Sequence, residues 1–126
     1  MNRVRTLIAD DSRAFRGALA RFLGALPDVE LVGAASGGQE SVEMAEALRP
    51  DLALMDFQMP GMNGLEAMER IRVGMPAIRV IILTVHDSED LRALCHERGA
   101  DGFLEKARLT AELPALIRSW AGPPPS

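Results

Sequence analysis

Five short apolar segments alternate with longer stretches of helical periodicity along this chain. The apolar segments cover residues 4–9, 29–35, 52–55, 80–83 and 103–104, and they have the length of strands rather than of helices. The segment 52–55 is continuously apolar, which is typical of a strand that is covered on both faces of a sheet. The pattern therefore predicts five strands, most of them buried.

Between these segments, apolar residues recur at intervals of three and four, which predicts one core-facing stripe on each helix. The clearest stripe follows the first strand and consists of Ala14, Phe15, Ala18, Leu19, Phe22, Leu23 and Leu26. Asn63 with Glu66 predicts a capping box, Asp87 or Ser88 a further helix start, and Thr110 the cap of the last helix, with Pro114 in its first turn. Five strand–helix units predict a doubly wound α/β domain with a parallel sheet and helices on both faces.

Composition narrows the range of partners and compartments. Of the 126 residues, 25% are charged and the net charge is −4, so the domain offers no basic surface for nucleic acid. Apolar runs stay well short of the roughly 18 residues that span a membrane, and Cys95 is the sole cysteine, which favours a reducing compartment. We expect a cytoplasmic domain over residues 1–121, with the proline-rich segment 122–126 as a stiff tail or the start of an interdomain linker.

Polar side chains stand where four of the predicted strands end. Asp10 and Asp11 follow the first strand, Asp56 the third, Thr84 the fourth and Lys106 the fifth. In an open parallel sheet these ends meet at one crevice. Three carboxylates suit Mg²⁺, which prefers oxygen ligands, and an aspartate can attack phosphorus while a metal and a lysine neutralise charge. The sequence predicts a site for a divalent cation and a phosphoryl group.

These strand ends lie within longer motifs that are similar to one known family. The motifs are Ala9-Asp10-Asp11-Ser12, Leu54-Met55-Asp56 with Met59-Pro60-Gly61-Met62-Asn63-Gly64, Ile82-Leu83-Thr84, and Gly99-Ala100-Asp101-Gly102-Phe103-Leu104-Glu105-Lys106. In this order and spacing they resemble the receiver domain of two-component response regulators across nearly the whole chain. The resemblance implies a flavodoxin-like strand order of 2-1-3-4-5.

The resemblance also implies a role for each site residue. Asp56 would accept phosphate from a partner histidine kinase or phosphotransfer protein, and Lys106 would pair with the phosphoryl group. Mg²⁺ would be held by Asp10, Asp11, Asp56 and the backbone carbonyl of Gln58. Thr84 and Phe103 occupy the positions of the family's switch pair, which would act on the face formed by the fourth helix, fifth strand and fifth helix. Such a protein is a phosphoacceptor and not an enzyme with a separate substrate.

Several residues depart from the common family pattern. Val85 replaces a small residue and is expected to narrow access to Asp56, whereas Ala107 replaces a proline, so a cis peptide bond is not expected there. Gln58 and His86 occupy positions that tune the lifetime of the phosphate. The missing proline and the proline-rich tail favour a receiver joined to a helix-turn-helix, DNA-binding output domain, with a homodimer through the switch face as a further expectation.

Two alternatives from other functional classes remain open at this point. An aspartate-nucleophile phosphatase also uses a carboxylate at a strand end, but it needs an acid two residues later, where this chain has Gln58. A flavin-binding, flavodoxin-like domain would need a phosphate loop after the first strand, and Asp10 and Asp11 would repel phosphate there.

Overall fold

A computed structural model describes residues 3–121 and has a five-stranded parallel sheet at its centre. The strands are β1 (Val4–Ala9), β2 (Val29–Ala35), β3 (Leu52–Asp56), β4 (Arg79–Thr84) and β5 (Gly102–Glu105). They lie side by side in the order β2-β1-β3-β4-β5, and every neighbouring pair is parallel. The predicted fold class and strand order are confirmed.

Helices cover both faces of the sheet, as the continuous apolar strands predict. They are α1 (Arg13–Gly24), α2 (Gly38–Leu48), α3 (Gly64–Gly74), α4 (Glu89–Glu97) and α5 (Leu109–Ala121). Successive side chains of a strand point to opposite faces, so Ala53 and Met55 enter the core under α2, α3 and α4, while Leu52 and Leu54 enter the core under α1 and α5. This sandwich holds the ends of the strands in fixed positions.

The starts of three helices can be compared with the predicted caps. Asn63 and Glu66 form the capping box of α3, and Ser88 caps α4 by accepting the Leu91 N–H at 3.0 Å. The predicted start of the last helix at Thr110 is wrong, because a 3₁₀ turn over Lys106–Arg108 leads directly into α5 at Leu109. Leu109 is buried in the core. Because this burial favours a helical Leu109, α5 begins earlier than the predicted cap at Thr110 suggests.

Pro114 therefore lies inside α5 rather than in its first turn. A proline there removes one helical N–H donor. The helix nevertheless continues to Ala121, with Leu113 and Ile117 fully buried on its core-facing side. Tertiary packing thus overrides the local preference.

The strand order creates a crevice at the carboxyl ends of β1 and β3. From β1 the chain passes to β2 at one edge and then returns to β3 on the other side of β1, which is the arrangement that opens a ligand site in doubly wound sheets. Gly64 at the start of α3 allows a close approach here, because a Cβ at this position would lie 2.6 Å from the backbone oxygen of Asp56.

Two expectations from the sequence concern the limits of the chain and the membrane. The proposed tail, 122–126, lies outside the described residues, and the domain boundary at residue 121 stays a prediction. Among residues 3–121, none of the helices combines the length and the apolar character that crossing a bilayer requires.

Candidate functional site

Three carboxylates meet in the crevice between the ends of β1 and β3. Asp10 directly follows β1 and is 1% exposed, Asp56 is the last residue of β3 and is 5% exposed, and Asp11 is exposed at the rim. Each residue offers an oxygen, and these oxygens all lie within 4.8 Å of one another. This donor set fits a hard divalent cation such as Mg²⁺, which binds carboxylate oxygens and keeps several waters.

Hydrogen bonds from neighbouring elements hold both the backbone and the side chain of Asp10. Its own N–H donates to the carbonyl of Ala35 at 3.1 Å, and its Oδ1 accepts the backbone N–H of Ser12 at 2.8 Å. The Arg16 guanidinium donates to its carbonyl oxygen at 2.8 Å. Ser12 also caps α1, so the start of this helix and the carboxylate are positioned by the same short loop.

Lys106 enters the crevice from the 3₁₀ turn after β5. Its Nζ lies 2.6 Å from Asp10 Oδ2 and 3.5 Å from Asp56 Oδ1, and its side chain is 14% exposed. The stronger of the two contacts is with Asp10. In this arrangement the ammonium bridges two carboxylates, and it stands beside the residue that the sequence predicts to carry phosphate.

Burial changes the proton affinity of Asp56. Desolvation and the neighbouring Asp10 carboxylate raise the pKa of Asp56 from 3.8 to about 6, against the opposing effects of Lys106 and of the Gln58 backbone N–H. The rise means that an ionised Asp56 is costly in this crevice. A cation at the acidic cluster would relieve that cost.

The crevice has a volume of about 600 Å³ and opens to solvent. The side chains and backbone that line it belong to Asp10, Asp11, Ser12, Asp56, Phe57, Gln58, Met59, Pro60, Asn63, Val85 and Lys106. Gln58 is exposed, and its backbone N–H lies 3.4 Å from Asp56 Oδ1. Val85 is 57% exposed and also lines the crevice, and its narrowing of access to Asp56 stays a prediction.

The Thr84 hydroxyl makes its hydrogen bonds to the backbone of the loop that follows β4. Its hydroxyl donates to the carbonyl of His86 at 3.0 Å and accepts the His86 N–H at 3.2 Å. His86 itself is exposed and is not among the residues that line the crevice. The hydroxyl therefore has local partners that it would have to leave in order to reach a phosphoryl group.

Phe103 lies on β5 and contributes to a different cavity. This groove of about 470 Å³ lies between α4 and β5. The Arg92 guanidinium stands 4.7 Å above the centroid of the Phe103 ring, and Arg92 also pairs with Asp87 at 3.0 Å. Neither of the two predicted switch residues is among the residues that line the crevice of the acidic cluster in this conformation.

Two residues that contact the site from α1 were not predicted as site residues. Arg16 holds the Asp10 backbone, and the Phe15 ring centroid lies 4.2 Å from Lys106 Nζ. From the sequence, Phe15 belongs only to the apolar stripe of α1. Its position in the first turn after Asp10-Asp11 is the signal that could have placed it near the site. All peptide bonds within residues 3–121 are trans, as expected with Ala107 after Lys106.

The sheet is open and parallel with the order 2-1-3-4-5. Carboxylates lie at the ends of its central strands, and a lysine follows its last strand. These features together indicate a receiver domain. The profile of the response regulator receiver domain matches residues 6–118. The chain belongs to this family, and the resemblance drawn from the motifs is confirmed.

Relatives of known function are similar over almost the whole chain. The nitrate/nitrite response regulator protein NarL of Escherichia coli K12 is 39% identical over 117 residues, which are 92% of this chain and 54% of the relative. The transcriptional regulatory protein LiaR of Bacillus subtilis is 40% identical over 116 residues, 92% of this chain and 55% of the relative. This chain therefore spans about half the length of these relatives.

Solved structures agree with the fold. The signal receiver domain of the putative response regulator NarL from Mycobacterium tuberculosis superposes with a TM-score of 0.88 at 31% identity, covering 96% of this chain and 98% of that one. A DNA-binding response regulator of the LuxR family from Staphylococcus aureus gives 0.86 at 26% identity, covering 94% and 99%. Family membership favours the receiver prediction over the phosphatase and flavin alternatives.

Proposed function

We propose that Asp56 of this receiver domain accepts a phosphoryl group from the phosphohistidine of a partner histidine kinase or phosphotransfer protein. The observation that carries the proposal is the position of Asp56, buried at the end of β3, within 4.8 Å of two other carboxylates and 3.5 Å from the Lys106 ammonium. An acceptor carboxylate needs charge neutralisation and positioning more than it needs proton transfer.

In the proposed reaction, an Asp56 carboxylate oxygen attacks phosphorus and forms the acyl phosphate bond. The nitrogen–phosphorus bond of the donor breaks, and its electron pair returns to the imidazole, which takes a proton from solvent. Lys106 moves from Asp10 towards the new phosphoryl oxygens and neutralises part of their charge. The domain is a phosphoacceptor in this proposal and does not act on a separate substrate.

Asp10, Asp11 and Asp56, with the backbone carbonyl of Gln58, are the residues that would hold Mg²⁺. When bound, the ion would offset the negative charge of the carboxylates and of the incoming phosphoryl group. Asp10 is already fixed by Ala35 and Ser12, so one ligand of this set is preorganised.

Thr84 and Phe103 are the proposed switch pair. Thr84 would exchange its contacts with His86 for a phosphoryl oxygen, and Phe103 would leave the Arg92 guanidinium and turn inward. Each is a small local change that biases a two-state element. The side chains of Gln58 and His86 would adjust the lifetime of the acyl phosphate.

The output of the proposed switch is DNA binding by a domain that is not contained in this chain. Support comes from relatives described as transcriptional or DNA-binding regulators, of which this chain matches the receiver portion. The face formed by α4, β5 and α5 is the proposed homodimer surface, and the groove beside Phe103 lies on it. The domain itself is proposed to be cytoplasmic and to make no direct contact with nucleic acid.

The deciding experiment is incubation with a small phosphodonor and Mg²⁺, followed by intact mass spectrometry. We expect a phosphate adduct on the unmodified protein and none on Asp56→Asn. Asp51→Asn is the matched control, because Asp51 precedes the same strand at its opposite end and is exposed. It should be labelled normally.

Three outcomes would contradict the proposal. Labelling of Asp56→Asn at the normal rate would place the acceptor elsewhere, and labelling that continues after Mg²⁺ is chelated would remove the metal from the reaction. If the unmodified protein forms no adduct with any small phosphodonor, the phosphoacceptor role itself is overturned.

A further inference from the structure

The Lys106 ammonium lies close to two carboxylates and to one aromatic ring. Asp10 lies 2.6 Å from Nζ and Asp56 lies 3.5 Å from it. The third neighbour is the ring of Phe15, whose centroid is 4.2 Å away. This distance is well inside the range of about 6 Å over which an aromatic face attracts an ammonium.

Phe15 is placed there by the start of α1. Its backbone N–H donates to the Ser12 hydroxyl at 3.2 Å, which fixes the first turn of the helix. The ring packs against the core under α1 and α5, and this packing holds it beside Lys106. An aliphatic residue would fill the same apolar space, but it would not attract a cation.

We propose that Phe15 is a positioning residue for Lys106, and that its ring face keeps the ammonium inside the crevice between Asp10 and Asp56. This inference rests on the proposed phosphoacceptor function. A lysine side chain is long and loses rotamer freedom when it is held, and water competes for its ammonium. The Phe15 ring limits both the rotamers of the lysine side chain and the access of water to its ammonium, because it covers one side of Nζ.

The ring is also suited to the movement that the reaction requires. Lys106 has to leave Asp10 and approach the phosphoryl oxygens on Asp56, and a directional hydrogen bond on its third side would resist this change. A ring face offers no hydrogen bond that has to be broken, so the ammonium can shift across the face while it stays within about 6 Å of the ring centroid. Phe15 can therefore hold the ammonium close to Asp56 before and after the transfer.

The test compares Phe15→Leu, which removes the ring face but keeps an apolar side chain, with Phe15→Tyr, which keeps the ring. With a small phosphodonor and saturating Mg²⁺, we expect Phe15→Leu to slow formation of the adduct by about 3- to 30-fold. Phe15→Tyr should form the adduct at the rate of the unmodified protein. Phe22→Leu is the matched control, since Phe22 lies on the same helix and packs against the same core. It should leave the rate unchanged.

A double-mutant cycle separates positioning from a general packing defect. In a Lys106→Met background the ammonium is absent, so Phe15→Leu should have no further effect on the rate. The same slowing in both backgrounds would overturn the proposal, as would an unchanged rate for Phe15→Leu alone. If Phe15→Leu does not fold, Phe15→Met serves in the same cycle.

A second measurement does not depend on phosphorylation. In the free protein, the ring current of Phe15 should shift the NMR signals of the Lys106 ε-methylene group, and Phe15→Leu should return them towards those of an exposed lysine. Unchanged signals would overturn the positioning role even if Asp56 is phosphorylated normally. Failure of labelling together with a clear ring-current shift would instead overturn the phosphoacceptor function and leave the contact established.

Discussion

Replacing Asp56 by asparagine should stabilise the metal-free protein at neutral pH. The carboxyl group of Asp56 is buried beside Asp10, and this environment raises its pKa from 3.8 to about 6. Because the folded state binds the proton more tightly than the unfolded state, Asp56 favours folding below pH 4, and this contribution is lost as the pH rises through 6. At pH 7 the ionised carboxylate opposes folding. Asparagine has nearly the same shape and carries no charge.

The change in proton affinity sets the size of the effect. A tenfold change in affinity corresponds to ~1.4 kcal/mol, so the raised pKa of Asp56 costs the folded state roughly 3 kcal/mol at pH 7. This value already includes the favourable effect of Lys106. Because the Asp56 side chain is only 7% exposed, solvent screening reduces the effect little. At pH 4 we expect the difference between the two proteins to fall below about 1 kcal/mol.

Urea unfolding of both proteins at pH 7 and pH 4, in the presence of a chelator, measures this difference. Asp90→Asn provides the control, since Asp90 is exposed on α4 and its replacement should change the stability by about 0.5 kcal/mol or less. Addition of Mg²⁺ at pH 7 should stabilise the unmodified protein more than Asp56→Asn. Equal stability of the two proteins at pH 7, or a difference that is the same at both pH values, would refute the reasoning.

Three further predictions concern single contacts. Asp11→Asn should weaken Mg²⁺ binding on the order of tenfold to a hundredfold in calorimetry, because it removes an exposed carboxylate of the cluster; unchanged affinity would exclude Asp11 from the metal site. Arg72→Ala should lower the free energy of unfolding by about 2 kcal/mol, since the partly buried Arg72 pairs with Asp101 at 2.7 Å and also donates to two backbone carbonyls. If urea unfolding shows a much smaller loss of stability, these contacts act only as a surface ion pair. Arg92→Gln should cost about 0.5–1 kcal/mol through the lost contact with Phe103, and an identical cost in a Phe103→Leu background would falsify that assignment.

The strand ends show how far sequence patterns reach. The chain places a charged or hydroxyl side chain after the first, third, fourth and fifth apolar segments, and the parallel sheet brings Asp10, Asp56 and Lys106 within hydrogen-bonding or ion-pair distance. This grouping follows from the rule that parallel strands end at one edge. The same rule also suggests Thr84, but its hydroxyl bonds to His86, and a rotamer choice of that kind leaves no trace in the pattern of residues.

Helix starts show a similar division. A capping box such as Asn63 with Glu66 is a contact between neighbours in the chain, so it is visible in the sequence and is present in the structure. The start of α5 depends on Leu109, which is buried by packing against distant residues. For that reason the local signal at Thr110 is misleading.

The sequence by itself determined the five strand–helix units, the two-sided burial of the sheet and the three carboxylates and the lysine of the crevice, because each depends on periodicity or on position at a strand end. Only the tertiary structure decided which groups are in contact there. It joins Lys106 to Asp10 across 96 positions of the chain, places the Phe15 ring against the same ammonium, and buries Asp56 enough to raise its pKa. These are properties of distance and solvent exclusion between residues far apart in the chain, and no local pattern specifies them.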